Sequence, residues 1–351
     1  MGTTPPTLSG SAAEPAVAGP RADRSGRLMR YARYSGLLIA ILLLVAIYTV
    51  MTPPNTFLSV RNGLGMLRAM ADLTMVGLGA TLVICLGEID LSFGYVFGLC
   101  GTVMAVSWLV WGWPVYLAIV LAFAVAILVG TFNATLVTRA GMPSFIATLG
   151  SGALCFGLNL LIGASQNYNY RFGATYRQPP PAEVNWFSAL GTDQLPGGFP
   201  AQGLWLVAVV VVFFFLLDRS LFGFRLKAIG GNPSAARVAR LPVNRYKWFA
   251  FVAIAVLACL AAILDFSFIG AVAPDAGQLL TFPVFSAVII GGASLSGGSG
   301  TTFGTVSGAL LLAVMANGFA VLAVGGWAQE LLLGAIIIVA VAVDRITARR
   351  G

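Results

Sequence analysis

Long stretches without a charged side chain constrain this chain more than any other feature. Residues 91–138 are 48 consecutive uncharged positions, and residues 276–329 are another 54. Because a membrane-spanning helix needs about 20 mostly apolar residues, each stretch is long enough for two such helices. Only 9% of all residues are charged and 58% are hydrophobic, whereas soluble chains have about 25% and 45–50%. The surface must therefore be solvated largely by lipid, which excludes a soluble enzyme, a secreted disulfide scaffold and a disordered chain.

Apolar stretches of sufficient length predict an all-α polytopic membrane protein with about ten transmembrane helices. They lie at 34–60, 62–87, 91–138 (two helices), 140–170, 194–217, 248–272, 276–329 (two helices) and 326–343. We expect a transmembrane domain over 35–345 and a short tail over 346–351. Residues 1–34 are rich in Pro, Ala, Gly and Arg, a composition that favours a disordered tail.

The distribution of basic residues predicts how the chain is oriented. Sixteen of the 20 Lys and Arg residues fall on one face of a ten-helix topology, and seven of those lie in the loop 218–247. The positive-inside rule makes that face, and with it both termini, cytoplasmic. The loop 164–202 carries two basic and two acidic residues, and we expect it to be external. The net charge of +8 thus relates to membrane orientation and does not indicate nucleic-acid binding.

Polar residues between the second and third predicted helices suggest a helix break. Glu88 and Asp90 lie two positions apart in Gly87–Gly94, and a charge inside a membrane costs about 2.5–3.5 kcal/mol on insertion scales. Asp90 or Ser92 could cap the following helix. These residues are candidates for a translocation pathway, and a loop at the membrane edge with an ordinary helix cap is an equally good interpretation. Elsewhere in the predicted helices, three amides could line the same pathway or, equally well, form interhelical hydrogen bonds: Asn133, Asn159 and Asn317.

A glycine-rich segment at 291–300 predicts a broken or re-entrant helix. It superficially resembles a phosphate-binding loop, but it lacks the Gly-Lys step of such loops, so the chain cannot bind ATP in that way. Irregular backbone in a membrane must be buried in protein or line a cavity, which makes Ser294 a pathway candidate. Glycine pairs at helical spacing, Gly94/Gly98 and Gly304/Gly308, are expected to permit close helix packing.

The loop 218–247 contains a predicted surface helix at 232–240. Gly230 and Gly231 interrupt the preceding structure, Asn232 fits the N-cap and Pro233 fits the first helical position. This helix of about eight residues could enter a groove on a partner protein, with Ala236 facing the groove. A connector helix at the lipid headgroups is the simpler alternative.

Residue types needed for catalysis or metal binding are absent or dispersed. The chain has no histidine, and its four cysteines lie singly in apolar stretches, so we predict no metal, no cofactor and no enzymatic activity of the chain itself.

Four motifs, in order, resemble one family of transport proteins. They are Gly-Glu-Ile-Asp-Leu-Ser at 87–92, Pro-Ser-Phe-Ile-Ala-Thr-Leu at 143–149, Ala-Ile-Gly-Gly-Asn with Ala-Ala-Arg at 228–237, and Gly-Gly-Ala-Ser-Leu-Ser-Gly-Gly at 291–298. The chain, from about residue 57 to 345, thereby resembles the permease subunits of bacterial ABC importers of the ribose, xylose and arabinose type.

This resemblance implies an importer subunit in the bacterial inner membrane that moves a monosaccharide or similar polyol by alternating access. It implies an ABC ATPase subunit, a periplasmic or lipid-anchored substrate-binding protein, and a homodimer or a pseudo-symmetric heterodimer with a related permease. The helix at 232–240 becomes the coupling helix that contacts the ATPase, with coupling residues Gly230, Gly231, Asn232, Ala235, Ala236 and Arg237. The pathway candidates are Glu88, Asp90, Ser92, Phe145 and Ser294.

Two other functions remain open from the residues alone. One is a permease for branched-chain amino acids or another small metabolite. The other is a proton-coupled secondary transporter in which Glu88, Asp90 or Asp265 relays protons.

Overall fold

The computed structural model describes residues 21–171, 179–192, 194–195 and 198–348, and they form an α-helical bundle. The described residues form thirteen α-helices: α1 (Arg21–Met51), α2 (Val60–Cys85), α3 (Phe93–Ala105), α4 (Val115–Thr138), α5 (Ser144–Ile162), α6 (Pro181–Thr192), α7 (Ala201–Phe213), α8 (Leu221–Gly231), α9 (Pro233–Val238), α10 (Val243–Ile269), α11 (Thr281–Ile290), α12 (Thr302–Val321) and α13 (Gly326–Ala348). Turns of π-helix extend α3 over Val106–Val110 and α7 over Phe214–Arg219.

In the part of the chain that the structure describes, four two-residue strands lie in the connections between helices. β1 (Tyr168–Asn169) pairs antiparallel with β4 (Ala271–Val272), so Tyr168 lies opposite Val272. This pair ties the connection after α5 to the segment after α10. β2 (Gln194–Leu195) pairs antiparallel with β3 (Phe199–Pro200).

Several helices begin or end at a residue whose side chain or backbone conformation caps the helix. The Ser59 side chain accepts a hydrogen bond from the Asn62 N–H at the start of α2, and Thr301 accepts one from Gly304 at the start of α12. α10 ends at Gly270, whose φ of 81° is a left-handed conformation that glycine adopts readily.

Seven helices among the described residues are long and apolar enough to cross a membrane. They span Val60–Cys85, Phe93–Val110, Val115–Thr138, Ser144–Ile162, Ala201–Arg219, Val243–Ile269 and Thr302–Val321. The all-α membrane fold is therefore confirmed, whereas the count of ten is not. Two further apolar helices are shorter, at Ser35–Met51 and Gln278–Ile290.

The termini differ in part from the predicted tails. Residues 1–20 and 349–351 lie outside the described residues, so a tail there stays a prediction. Residues 21–34, expected in the disordered tail, form the first part of α1, and α13 extends to Ala348.

The core of the bundle is built from α2, α3 and α10. Most residues of these three helices are buried, whereas about two thirds of the residues along α4, α5 and α7 are not. The outer helices carry large apolar side chains on their exposed faces, such as Val120, Leu128 and Leu161. Such a surface is suited to lipid and would be unfavourable in water.

Helices α2–α5 and α10–α13 have the same arrangement, in opposite directions. In each set a long helix is followed by a segment without α-helix, 86–92 or 270–280, and then by a shorter helix; the second segment ends in a 3-10 turn at Gln278–Leu280. α10 packs on α3 and α4, and α2 packs on α11 and α12. α2 and α10 run antiparallel, since Arg68 lies over Phe268 near one end and Glu88 pairs with Lys247 near the other. The fold thus contains an inverted structural repeat, an arrangement in which broken helices commonly build a substrate pathway.

Candidate functional site: a junction of broken helices and a surface helix

The segment Leu86–Ser92 is non-helical, and two of its backbone N–H groups bond to side chains of α5. The Ile89 N–H donates to the Ser144 hydroxyl at 3.1 Å, and the Leu91 N–H donates to the Thr148 hydroxyl at 3.0 Å. These side chains satisfy backbone groups that a helix would have satisfied internally. The break predicted at this position is present, and its hydrogen-bond partners come from a helix more than 50 residues away.

Asp90 is a buried cap at the start of α3. Its Oδ1 accepts hydrogen bonds from the Ser92 N–H at 2.7 Å and from the Ser92 hydroxyl at 2.6 Å. Ser92 in turn accepts a bond from the Asn133 side chain at 2.8 Å. Burial raises the pKa of the Asp90 carboxyl to about 6, although the bonds from Ser92 oppose that shift. Asp90 therefore acts at the start of α3 through Ser92, the N-cap residue, whose own side chain makes no capping bond to the helix.

Glu88 is held by an ion pair. Its carboxylate contacts the Lys247 ammonium at the start of α10, and both side chains are mostly shielded from solvent. This ion pair joins the segment after α2 to the first turns of α10.

Three glycine-containing segments meet beside this break, and we call their meeting point the glycine junction. It consists of Cys85–Gly87, Gly230–Gly231 and Ser296–Gly298. The Gly298 N–H donates to the Cys85 carbonyl at 2.9 Å. A Cβ at Gly230 would lie 1.7 Å from that carbonyl oxygen, and one at Gly297 would lie 2.6 Å from the Gly230 carbonyl oxygen. Only glycine permits backbones to approach this closely.

The surface helix predicted within 218–247 is present as α9. Asn232 is its N-cap and accepts a hydrogen bond from the Ala235 N–H at 3.0 Å, and Pro233 occupies the first turn, as predicted. The helix has six residues instead of about eight, because Arg240 adopts a left-handed φ of 58°.

Two of the six predicted coupling residues lie in the interior. Gly230 is buried in the glycine junction, and Ala236, which was expected to face a partner protein, is only 5% exposed. Gly231, Asn232, Ala235 and Arg237 are exposed. Val238, which the sequence analysis did not single out, has 86% of its surface exposed. Single-sequence periodicity over a six-residue helix could not separate the buried side from the exposed side.

The remaining pathway candidates are Ser294 and Phe145. Ser294 lies in the glycine-rich segment, where its hydroxyl accepts a hydrogen bond from the Ser296 N–H at 3.3 Å. Phe145 is half-exposed at the start of α5 and takes no part in the glycine junction.

One of the three asparagines, Asn317, makes the predicted interhelical bond, and the other two bond to non-helical segments. Asn133 donates to Ser92, Asn159 donates to the Pro274 carbonyl at 2.7 Å, and Asn317 exchanges two amide hydrogen bonds with Asn62, each of 2.9 Å.

The glycine pairs also pack as predicted. Cβ atoms at Gly94 and Gly98 would meet backbone carbonyls of the segment 276–277 at 2.6 Å. Cβ atoms at Gly304 and Gly308 would meet carbonyls of Gly291 and Ala287 at 2.0 Å.

A cavity of about 460 Å³ lies at the other end of the bundle, where α2 and α10 contact the segment 271–280. Asp72, Asp265 and Asp275 contribute carboxylates to its wall. From the sequence, Asp265 was a candidate only for a proton relay. Its position in the cavity wall depends on the antiparallel packing of α2 against α10, which the sequence did not predict. Among the described residues no group of acidic or cysteine side chains could hold a metal ion.

Comparison with known proteins places the chain in a transport family. Residues 62–341 match the family described as the permease component of branched-chain amino acid transport systems. The chain is 33% identical to a probable ABC transporter permease protein, y4mJ, of Sinorhizobium fredii, over 93% of this chain and 94% of that protein. It is 31% identical to the ribose import permease protein RbsC of Bacillus subtilis, over 88% and 92%. It is 29% identical to the xylose transport system permease protein XylH of Escherichia coli, over 90% and 92%. With more than half of its length matched to the family and nearly all of it aligned with these relatives, the chain belongs to this family of transport permeases and is a multi-pass membrane protein.

Proposed function

We propose that the chain is the membrane-spanning subunit of an ATP-driven importer that carries a monosaccharide or similar polyol into the cytoplasm. The observation that carries this proposal is the glycine junction, where a loop bearing an exposed surface helix directly touches both the segment after α2 and the glycine-rich segment between α11 and α12. A force applied to that surface helix would reach the broken helices through rigid backbone contacts. The xylose and ribose permeases among the relatives support the substrate class.

The orientation follows from the basic residues. The end of the bundle that holds the glycine junction also holds the loop 218–247, with its seven Lys and Arg residues, and is cytoplasmic in this proposal. The cavity with Asp72 and Asp265 then opens toward the outside of the bacterial inner membrane. α1, α11 and α13 complete ten crossings, and both termini are cytoplasmic. α11 has 10 residues, about 15 Å at 1.5 Å per residue, and crosses together with the glycine-rich segment.

Each end of the helical bundle has its own partner protein in this proposal. An ABC ATPase contacts the exposed side of α9, which presents Ala235, Arg237 and Val238. A periplasmic or lipid-anchored binding protein delivers substrate at the opposite end, and a second permease, identical or related, completes the translocation unit. Glu88, Asp90, Ser92 and Ser294 then act in holding and moving the broken segments, and alternating access opens the path to each side in turn.

One competing substrate class has a specific observation in its favour. The matched family takes its description from branched-chain amino acid transport, so leucine and related amino acids are the second candidate. The proton-coupled mechanism has less support, because Glu88 is paired with Lys247 and Asp90 caps a helix.

The test is substrate uptake in cells that lack the chromosomal copy of this chain. We expect loss of uptake of one radiolabelled pentose or hexose, restored by the plasmid-borne chain, with unchanged leucine uptake. Loss of leucine uptake with normal uptake of every sugar tested would replace the proposed substrate class. A tagged chain should also retain its ATPase through purification in mild detergent.

A further inference from the structure

Asp218 connects three elements at the basic end of the bundle, and neither the sequence analysis nor the proposed pathway uses it. It lies in the π-helical turn that ends α7. Its Oδ1 is 3.2 Å from the Lys227 ammonium on α8. Its Oδ2 accepts the Thr302 N–H, the first of α12, at 2.9 Å. Both carboxylate oxygens are therefore engaged, and with different helices.

The contact with Thr302 fixes the start of α12. The first N–H groups of a helix lack intrahelical partners and carry partial positive charge, which an adjacent carboxylate stabilises. Thr301 satisfies the Gly304 N–H from within α12, and Asp218 satisfies Thr302 from outside it. The N-terminus of α12 is thus tied to the loop that contains α8 and α9.

Movement of α12 would carry α11 with it. Gly304 and Gly308 on α12 pack against carbonyls of Gly291 and Ala287, with no room for a Cβ. Toward its N-terminal end α11 continues into the segment 271–280, which lines the cavity holding Asp72 and Asp265. A continuous chain of contacts therefore leads from α9, through α8 and Asp218, to the cavity at the far end of the bundle.

The hydrogen bond of the glycine junction joins Gly298 to Cys85, whereas α8 meets these segments through the close packing of Gly230. Close contacts, such as Gly230 against Cys85, resist compression but offer little resistance to separation. An ion pair combined with a charge-assisted hydrogen bond resists separation as well. A transporter that works in cycles must move its helices in one direction and then back again. The bonds of Asp218 to Lys227 and Thr302 connect α8 to α12 in a way that resists their separation.

We propose that Asp218 is the positioning residue that couples the surface helix α9 to the α11–α12 unit, so that its removal uncouples ATP hydrolysis from substrate movement. This inference rests on the proposed function, since it takes α9 to be the site of ATPase contact. The reconstituted complex of chain, ATPase and binding protein is the material in which it can be tested.

Three substitutions separate the two bonds of Asp218. Lys227→Met removes only a partly exposed ion pair, so we expect uptake to fall by about two- to fivefold. Asp218→Asn also loses that pair but keeps an oxygen that can accept the Thr302 N–H, so its loss should be similar. Asp218→Ala removes both interactions, and uptake should fall by about tenfold or more. Glu330→Gln, which neutralises an exposed carboxylate on α13, is the matched control and should transport normally.

The distinguishing measurement is ATP hydrolysis by the same preparations. If the Asp218 variants uncouple ATP hydrolysis from substrate movement, the ATPase should stay bound and hydrolyse ATP within about twofold of the wild-type rate, while substrate uptake falls. The double variant Asp218→Asn with Lys227→Met should lose no more uptake than either single variant, because both act through one pair. If Asp218→Ala is not recovered as a folded protein, the comparison of uptake with hydrolysis in Asp218→Asn, Lys227→Met and the double variant tests the proposed role of Asp218.

Hydrogen exchange provides an independent readout. In the wild-type complex, nucleotide binding to the ATPase should alter exchange at residues 233–238 and at 302–305. In Asp218→Asn the change at 302–305 should be smaller, with the change at 233–238 retained.

Two outcomes would overturn the inference: normal uptake by Asp218→Ala, or parallel loss of uptake, hydrolysis and bound ATPase in all three variants. If the wild-type complex itself shows no ATP-dependent uptake, it is the proposed function that fails, and the role assigned to Asp218 fails with it.

Discussion

At the scale of single residues, Asp90 separates a capping role from a role in proton transfer. Its Oδ1 accepts both the Ser92 N–H and the Ser92 hydroxyl. An asparagine side chain also has an oxygen that can accept both bonds, and it caps helices about as well as aspartate. An asparagine cannot take up and release a proton, so one substitution distinguishes the two roles.

We predict that Asp90→Asn keeps sugar uptake within about twofold of wild type, since the cap is preserved. Asp90→Ala should lower both uptake and thermal stability, because the Ser92 N–H then loses its buried partner. Uptake assays in whole cells and a melting curve of the purified protein provide the measurements. Abolished uptake in Asp90→Asn with an unchanged melting temperature would favour proton transfer and contradict the capping role.

At the scale of elements, α9 shows what a single sequence can and cannot predict. Asn232 and Pro233 specified where the helix begins, because capping depends on adjacent residues. Which side of α9 faces outward depends on contacts with α8 and α10, which are not encoded within six residues. The expectation that Ala236 faces a partner was wrong for this reason, and Val238 is the exposed apolar residue instead.

We predict that Val238→Glu and Ala236→Glu fail in different ways. Val238→Glu should insert and fold normally, because the side chain points away from the protein, yet it should recover much less ATPase in a pull-down. Ala236→Glu should lower the yield of folded permease, since it buries an unpaired charge. Normal ATPase recovery by Val238→Glu would show that this face of α9 is not the contact surface.

At the scale of the whole molecule, charge-free stretches predicted the all-α membrane class, because lipid dictates composition over long ranges. The glycine motifs at 87 and 291–298 predicted both helix breaks near the basic end. The inverted repeat could not be predicted, since its two halves show no repeat visible in the sequence and share only their packing. Asp218 was missed for a related reason: nothing local to an aspartate at the end of a helix indicates that Thr302, 84 residues away, is its partner.

The proposed orientation predicts opposite labelling of two introduced cysteines. All four native cysteines are buried, so they should contribute little background. Asn185→Cys on α6 and Ser234→Cys on α9 both replace exposed residues. In intact spheroplasts an impermeant maleimide should label the first and not the second, and permeabilised cells should show labelling at both. Labelling of position 234 alone in intact spheroplasts would invert the topology.

The most direct test of the account is the energy source of transport in a defined system. Proteoliposomes should contain the chain with its ATPase, or the chain alone, and receive the binding protein and a radiolabelled sugar on the external side. We predict uptake only when the ATPase is present and ATP is enclosed, with no uptake driven by a proton gradient. Gradient-driven accumulation by the chain alone, without ATPase or ATP, would contradict the account and identify the protein as a secondary transporter.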